Sequence, residues 1–470
     1  MKTLRAQPPL SRLKQHAPTE SGLEPSDVTR LLTVYLLLLV AVPSGVRIAA
    51  LGSLGQPSLL WGLLLFAWWT LWRITALKSD LNDRRSPVRV AFFAFLVVGL
   101  VSFGAALLRG QPDDQVSPAS TALLRILSWG GSVLVGLDGL QRLNDLMIIV
   151  RRVALAGTLL AAFGLLQFIT RQSLLDWWPS IPGIEMVEGG VVTRGAFTRA
   201  SGTAIHPLEH ATALAASLPL TIALAMLRTT DRSRRSVPLG QTPQDDYLRH
   251  LRIADWVPAG IIALGSILAV SRSALIGLVI ASVASLPILP KRLRIWAISA
   301  GLGLAATALF SVRGLLTTLL GLFSPSGDAS TQSRTDALAR LPDFVSQSPI
   351  YGVGFGTFLP RYYIFDNAWA LMAVELGIAG VLAFLGLFVT SILCALEVAR
   401  HSTGIDAQII GKGLGAASLT IGVVFAFFDG LAFPIAAGYA FLLFGLCGAM
   451  WSMDPVQRDS PFESGSVLER

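Results

Sequence analysis

The sequence predicts an all-α fold: a polytopic membrane bundle of about twelve transmembrane helices, with a long extracytoplasmic loop carrying short amphipathic helices. Three observations carry this. Apolar residues make up 53% of the 470 residues and charged ones only 14%, a balance that suits lipid rather than water as the solvent. Apolar windows long enough to cross a hydrocarbon core of ~30 Å recur along almost the whole chain. Period-two alternation is weak, so helices rather than a closed barrel must satisfy the backbone.

The apolar runs fall at about 31–52, 58–72, 90–108, 121–137, 153–170, 211–227, 256–270, 274–289, 295–311, 368–396, 414–428 and 433–451. A basic leader, 1–30, precedes them, without the small-residue cleavage site of a signal peptide, and a tail, 452–470, follows. Lys and Arg gather at alternate junctions: Arg73, Lys78, Arg84, Arg85 and Arg89 in one, Arg142, Arg151 and Arg152 in the next, then Arg228 to Arg252, Lys291 to Arg294, and Arg400 with Lys412. By the positive-inside bias these junctions and both termini are cytoplasmic. The net positive charge then reflects sidedness and membrane lipids as partners, with no nucleic acid required. The two cysteines, Cys394 and Cys447, lie in apolar runs and read as small packing residues.

Two outer segments are long, about 171–210 and 312–367. Within the second, 333–345 places Ala337, Leu338, Leu341 and Val345 at helical spacing opposite Arg334, Asp336 and Arg340, the pattern of an amphipathic helix lying on the membrane surface. Arginines in outer segments run against the charge bias: Arg194, Arg199, Arg272, Arg313, Arg334, Arg340 and Arg361. Arg272 has apolar sequence on both sides and no adjacent acid, so it should face a polar cavity or an anion. Several arginines around an outer cavity suit a diphosphate, because the planar guanidinium makes paired hydrogen bonds to phosphate oxygens.

The run Ser271-Arg272-Ser273-Ala274-Leu275-Ile276-Gly277-Leu278, the later Ser348-Pro349-Ile350-Tyr351-Gly352-Val353-Gly354-Phe355-Gly356-Thr357-Phe358, and Asp366-Asn367 followed by Gly377-Ile378-Ala379-Gly380 resemble signature stretches of the O-antigen ligase/polymerase family. The upstream Arg199-Ala200-Ser201-Gly202-Thr203-Ala204-Ile205-His206-Pro207 is similar to that family's preceding outer-loop segment. The resemblance implies an extracytoplasmic GT-C type glycosyltransferase of the cytoplasmic (inner) membrane. Such an enzyme moves a glycan from an undecaprenyl-diphosphate carrier to a glycan, lipid or protein-linked hydroxyl, without cofactor or metal. Arg199, Arg272 and Arg334 are then the candidate diphosphate ligands. The family's ligases place a His, thought to be the general base, where this chain has Asp366; Asp366 is therefore a base, an orienting group or a helix cap. Glu375 and His210 are the other candidate catalytic groups. Gly352, Gly354 and Gly356 read as a tight turn that lets the backbone approach a ligand or a helix, with Asn367 nearby.

His206-Pro207-Leu208-Glu209-His210 has a zinc-hydrolase spacing, but Pro207 should open a helix and leave His206 outside it, so metal is not expected there. Arg125 and Asp429 are isolated charges that either pair or line the cavity. The rival reading is a lipid-linked glycan flippase or another transporter, which should show related halves and polar groups at mid-depth; no internal repeat is visible.

Overall fold

The computed structural model describes residues 25–75, 86–187, 192–194, 197–236, 247–311 and 329–459. They are mostly helical. In chain order the helices are α1 (Pro25–Val40), α2 (Pro57–Thr75), α3 (Pro87–Leu108), α4 (Asp113–Gly139), α5 (Leu143–Thr170), α6 (Pro207–Ser236), α7 (Tyr247–His250), α8 (Ile253–Leu268), α9 (Arg272–Ser285), α10 (Lys291–Ser311), α11 (Ala329–Val345), α12 (Ala368–Glu375), α13 (Gly377–His401), α14 (Ile405–Val424), α15 (Pro434–Ser452) and α16 (Pro455–Asp459). Five of the longer ones, α1, α2, α3, α6 and α15, open on a proline, whose missing N–H falls where a helix has no acceptor for it.

Every apolar run carries a helix. Among the described residues, eight helices are long and apolar enough to cross a membrane by length and composition: α3, α4, α5, α6, α10, α13, α14 and α15. Helices α8 and α9 are apolar but shorter. Two runs are divided. The run 31–52 stops being helical at Val40, ahead of Pro43; a strand, β1 (Val46–Ile48), and a 3-10 turn follow it. The run 368–396 breaks between α12 and α13, where Gly377 takes a φ of 68°.

Strand β1 pairs antiparallel with β2 (Ile184–Met186), and β3 (Val192–Arg194) pairs with β4 (Phe197–Arg199). The segment 41–56 is thereby laid against β2 and Thr203: the Ser44 N–H also donates to the Thr203 carbonyl at 2.8 Å, and the Thr203 hydroxyl to that of Val40 at 2.6 Å.

The core runs through α4, α6, α14 and α15. Aromatic rings fill it: Trp129 stacks on Phe441 at 4.8 Å, and Phe384 joins Phe95, Phe425 and Phe441. Small residues let helices meet where rings do not, as at Gly131, where a Cβ would lie 2.1 Å from the Gly62 carbonyl oxygen. At one end of the bundle sit part-buried ion pairs: Arg89 with Asp138, Arg232 with Asp255, and Arg234 with Asp406 at 3.2 Å. The opposite end holds the starts of α6, α9, α12 and α15 and the end of α14.

Helix α11 covers the predicted 333–345, but its docked face differs. Ala337, Leu341, Phe344 and Val345 pack with Phe358, Tyr363, Phe365 and the α12 residues Ala370 and Val374, while Leu338 is 49% exposed. The aromatic cluster draws the helix onto α12, and the Arg340 guanidinium lies 5.5 Å from the Tyr363 ring centre instead of on an opposite face.

Candidate functional site

The start of α12 is fixed by Asn367, not Asp366. The Asn367 Oδ1 accepts from the N–H groups of Trp369 at 2.9 Å and Ala370 at 3.1 Å, so two otherwise unpaired donors of the first turn are satisfied. The Ala368 N–H donates to the carbonyls of Phe425 and Phe428, which docks this turn on the end of α14. Asp366 is left exposed, its carboxylate uncommitted to the cap. Of the three readings the sequence left open for it, capping belongs to its neighbour.

Glu375 ends α12 and is buried. Its Oε1 accepts from the Phe358 N–H at 3.2 Å, and the N–H of Gly356 also reaches the carboxylate. The Gly354 N–H donates to the Glu375 carbonyl at 2.9 Å. The glycine loop therefore approaches a helix end: Gly352 has a φ of 69°, and a Cβ there would lie 2.2 Å from the Glu375 carbonyl. Arg109 closes the arrangement by donating to the Gly352 carbonyl at 2.7 Å.

At the start of α6, Pro207 opens the helix and His206 precedes it. The His206 Nδ1 accepts the Leu208 N–H at 3.2 Å, and its ring centre lies 5.8 Å from that of Phe433. Burial and the neighbouring Arg199 push the His206 pKa below its ordinary value, opposed by Asp366. Glu209, fully buried, accepts from the Ser44 hydroxyl at 2.9 Å, the Ile205 N–H at 3.0 Å and the Ile435 N–H at 2.6 Å. One carboxylate thus joins the segment before β1, the start of α6 and the start of α15. His210, one turn along, is 1% exposed; Gly164 and Gly202 close on its ring, and neither ring nitrogen has a hydrogen-bond partner.

These elements converge on one charged group. Arg125 of α4 lies within electrostatic reach of Arg47, Asp429 and Glu375. Asp429, in the connection between α14 and α15, feels Arg125 and Asp366. Burial pushes the Asp429 pKa up to about 6, opposed by the Ala432 N–H and Arg125. His206 feels both Arg199 and Asp366. Arg125 also lines a cavity of about 20 Å³ with Tyr35, Gln56, Ser58 and Leu431, room for about one water.

Arg272 is the first residue of α9, after Val270, which is buried with a φ of 47°, a conformation that is strained for a β-branched residue. Ala274 packs with Ala211 and Ala269, and a Cβ on Gly277 would come within 3.2 Å of Ala215 and Val424. This register sets Arg272 level with the start of α6 and the end of α14, at the same end of the bundle as His206 and Asp429. The side chains of Arg194, Arg313 and Arg334 lie outside the described residues.

Of the residues singled out in the sequence, the structure brings Asp366, Glu375 and Arg199 into one electrostatic neighbourhood, with Arg125 and Asp429 within it. His210 is enclosed apart from them. The sequence reading missed Arg47, which lies inside the apolar run 31–52; Pro43-Ser44-Gly45, which ends the helix ahead of it, is the signal that reveals it. It also passed over His206 as a contributor in its own right. Among curated proteins, none matches the chain. Residues 257–385, which contain Arg272, the glycine loop, Asp366 and Glu375, match the family model described as O-antigen ligase.

Proposed function

We propose that this protein transfers a glycan from an undecaprenyl-diphosphate carrier to an acceptor hydroxyl on the outer face of the cytoplasmic membrane, as a polymerase or ligase of cell-surface glycan. The observation that carries the reading is the meeting of Arg47, Arg125, Arg199 and His206 with Asp366, Glu375 and Asp429 at one end of an apolar bundle. The arginines at that end suit an anionic leaving group held at the membrane boundary, and carboxylates among them suit a proton acceptor.

In the reaction, the acceptor oxygen forms a bond to the anomeric carbon while the bond from that carbon to the diphosphate oxygen breaks. The hydroxyl proton passes to a carboxylate, and the electron pair of the broken bond leaves with the diphosphate. In-line attack inverts the anomeric carbon. Asp366 is the base of choice, being exposed and free of the cap, whereas Glu375 is held by loop N–H groups. Arg272 and Arg334 join the diphosphate ligands on the charge argument already given, with the twelve apolar runs crossing the membrane and both termini cytoplasmic.

The test is the lipid-linked glycan that accumulates when the protein is removed from its cells. Transfer predicts accumulation in the outer leaflet, open to an impermeant glycosidase added to spheroplasts. Accumulation in the inner leaflet would replace transfer by a flippase.

A further inference from the structure

We infer that His206 is a hydrogen-bond donor to the leaving diphosphate, through Nε2, and that the cap it makes on α6 is what fixes it in that role. This rests on the proposed transfer reaction for the identity of the ligand, but the tautomer argument rests on the geometry alone.

A neutral imidazole has one nitrogen that donates and one that accepts, and the hydrogen bond at the first determines the second. At His206 the first is occupied. The Leu208 N–H points at Nδ1 at 3.2 Å, so Nδ1 carries a lone pair and the single ring proton sits on Nε2. Turning the ring over would set a C–H against that N–H and leave a first-turn donor of α6 unsatisfied. The tilted ring of Phe433 restrains the imidazole further, at 5.8 Å between centres. Burial and Arg199 favour the neutral ring, which keeps it in the one-proton form where the tautomer matters.

What the Nε2 proton faces follows from the surroundings. His206 is half-buried at the end of the bundle that carries the charged group, with Arg199 and Asp366 as its charged neighbours. A neutral donor there has a use that a further cation lacks. It stabilises charge on the departing oxygen without attracting the Asp366 carboxylate away from the acceptor proton. The segregation is chemical: Asp366 takes the acceptor proton, the arginines offset the charge of the diphosphate, and His206 supplies a directed hydrogen bond to it. The same cap denies His206 the role of general base, since accepting a proton at Nε2 needs a lone pair there, and the cap reserves the lone pair for Nδ1. Glu209 makes the arrangement rigid, because its carboxylate holds the Ile205 N–H immediately before His206 and the Ile435 N–H immediately after the Phe433-Pro434 pair.

The test uses the full chain in lipid nanodiscs, with undecaprenyl diphosphate as the probe. The His206→Asn variant keeps a strong helix cap, so α6 still starts correctly, but its short amide does not reach where Nε2 lies. Its affinity for undecaprenyl diphosphate should fall roughly 10- to 100-fold, the size of one hydrogen bond to a charged group. Unchanged affinity in that variant, with the parent binding tightly, overturns the inference and leaves the transfer reaction standing. A parent chain that does not bind undecaprenyl diphosphate at all overturns the transfer reading and this inference with it. A second measurement needs no substitution: ¹⁵N-histidine labelling of the parent, whose five histidines are few enough to resolve, reads the tautomer. The expected pattern at neutral pH is a protonated Nε2 and a bare Nδ1 at His206, with the Nε2 proton shifting on addition of undecaprenyl diphosphate. A protonated Nδ1 would overturn the assignment whatever the affinities show.

Discussion

At the scale of single residues, the division of labour between Asp366 and Asn367 makes two roles separable that the dipeptide alone runs together. Asp366→Asn removes a proton acceptor with almost no change in size, and transfer should fall about 10²- to 10⁴-fold with thermal stability unchanged. Asn367→Ala should do the reverse in kind, costing about 1 kcal/mol of stability through the lost cap, read as a lower melting temperature in detergent. If Asp366→Asn turns over a polyprenyl-diphosphate glycan at the parent rate, Asp366 is not the base. Asp429 gives a pH signature of its own. Its pKa is raised in the folded chain, so the stability that it contributes is fully present below the ordinary carboxylate value of about 4 and is lost as pH rises through about 6. Melting temperatures of the parent and of Asp429→Asn, compared between about pH 4 and pH 7, should show that component of the pH dependence in the parent and its absence in the variant.

At the scale of elements, the glycine loop and the α12 to α13 break form one device. Gly352 presses on the Glu375 carbonyl, and Gly377 on that of Ile350, so neither position has room for a Cβ. Gly352→Ala meets both a φ of 69° and backbone atoms 2.2 Å away, and should cost about 2 kcal/mol or more. Thermal unfolding of the variant in detergent checks this, and a melting temperature equal to the parent's would show that the loop does not depend on the close approach. Because Phe358 and Gly356 hold the Glu375 side chain, the same substitution should disturb the carboxylates around Arg125 without touching a charged residue.

At the scale of the whole molecule, helix ends alternate between a face of paired charges, where Asp138, Asp255 and Asp406 meet arginines, and a face that carries the starts of α6, α9, α12 and α15. The sidedness drawn from the charge bias assigns the first face to the cytoplasm. Both native cysteines are buried, so an introduced one can be labelled against a silent background. Thr335→Cys on α11 should react with an impermeant maleimide in intact cells, and Val456→Cys, 81% exposed in the parent and beyond α15, only after permeabilisation. Labelling of position 456 in intact cells would reverse the topology and move the site to the other face.

Hydropathy suffices to place a helix on each apolar run, because a helix satisfies its own backbone and each run is local in sequence. Pro207 as a helix start and the family resemblance of residues 257–385 were legible for the same reason: each is written in neighbouring residues. What joins distant residues was not. The sequence shows Asp366 and Asn367 side by side without saying which one caps, since that depends on which side chain the end of α14 leaves free to turn inward. It hides Arg47 in an apolar run and leaves open whether Arg125 and Asp429, 304 positions apart, meet or line the cavity separately. Only packing brings them together, because a buried cation draws its carboxylates from whichever helices the fold sets beside it.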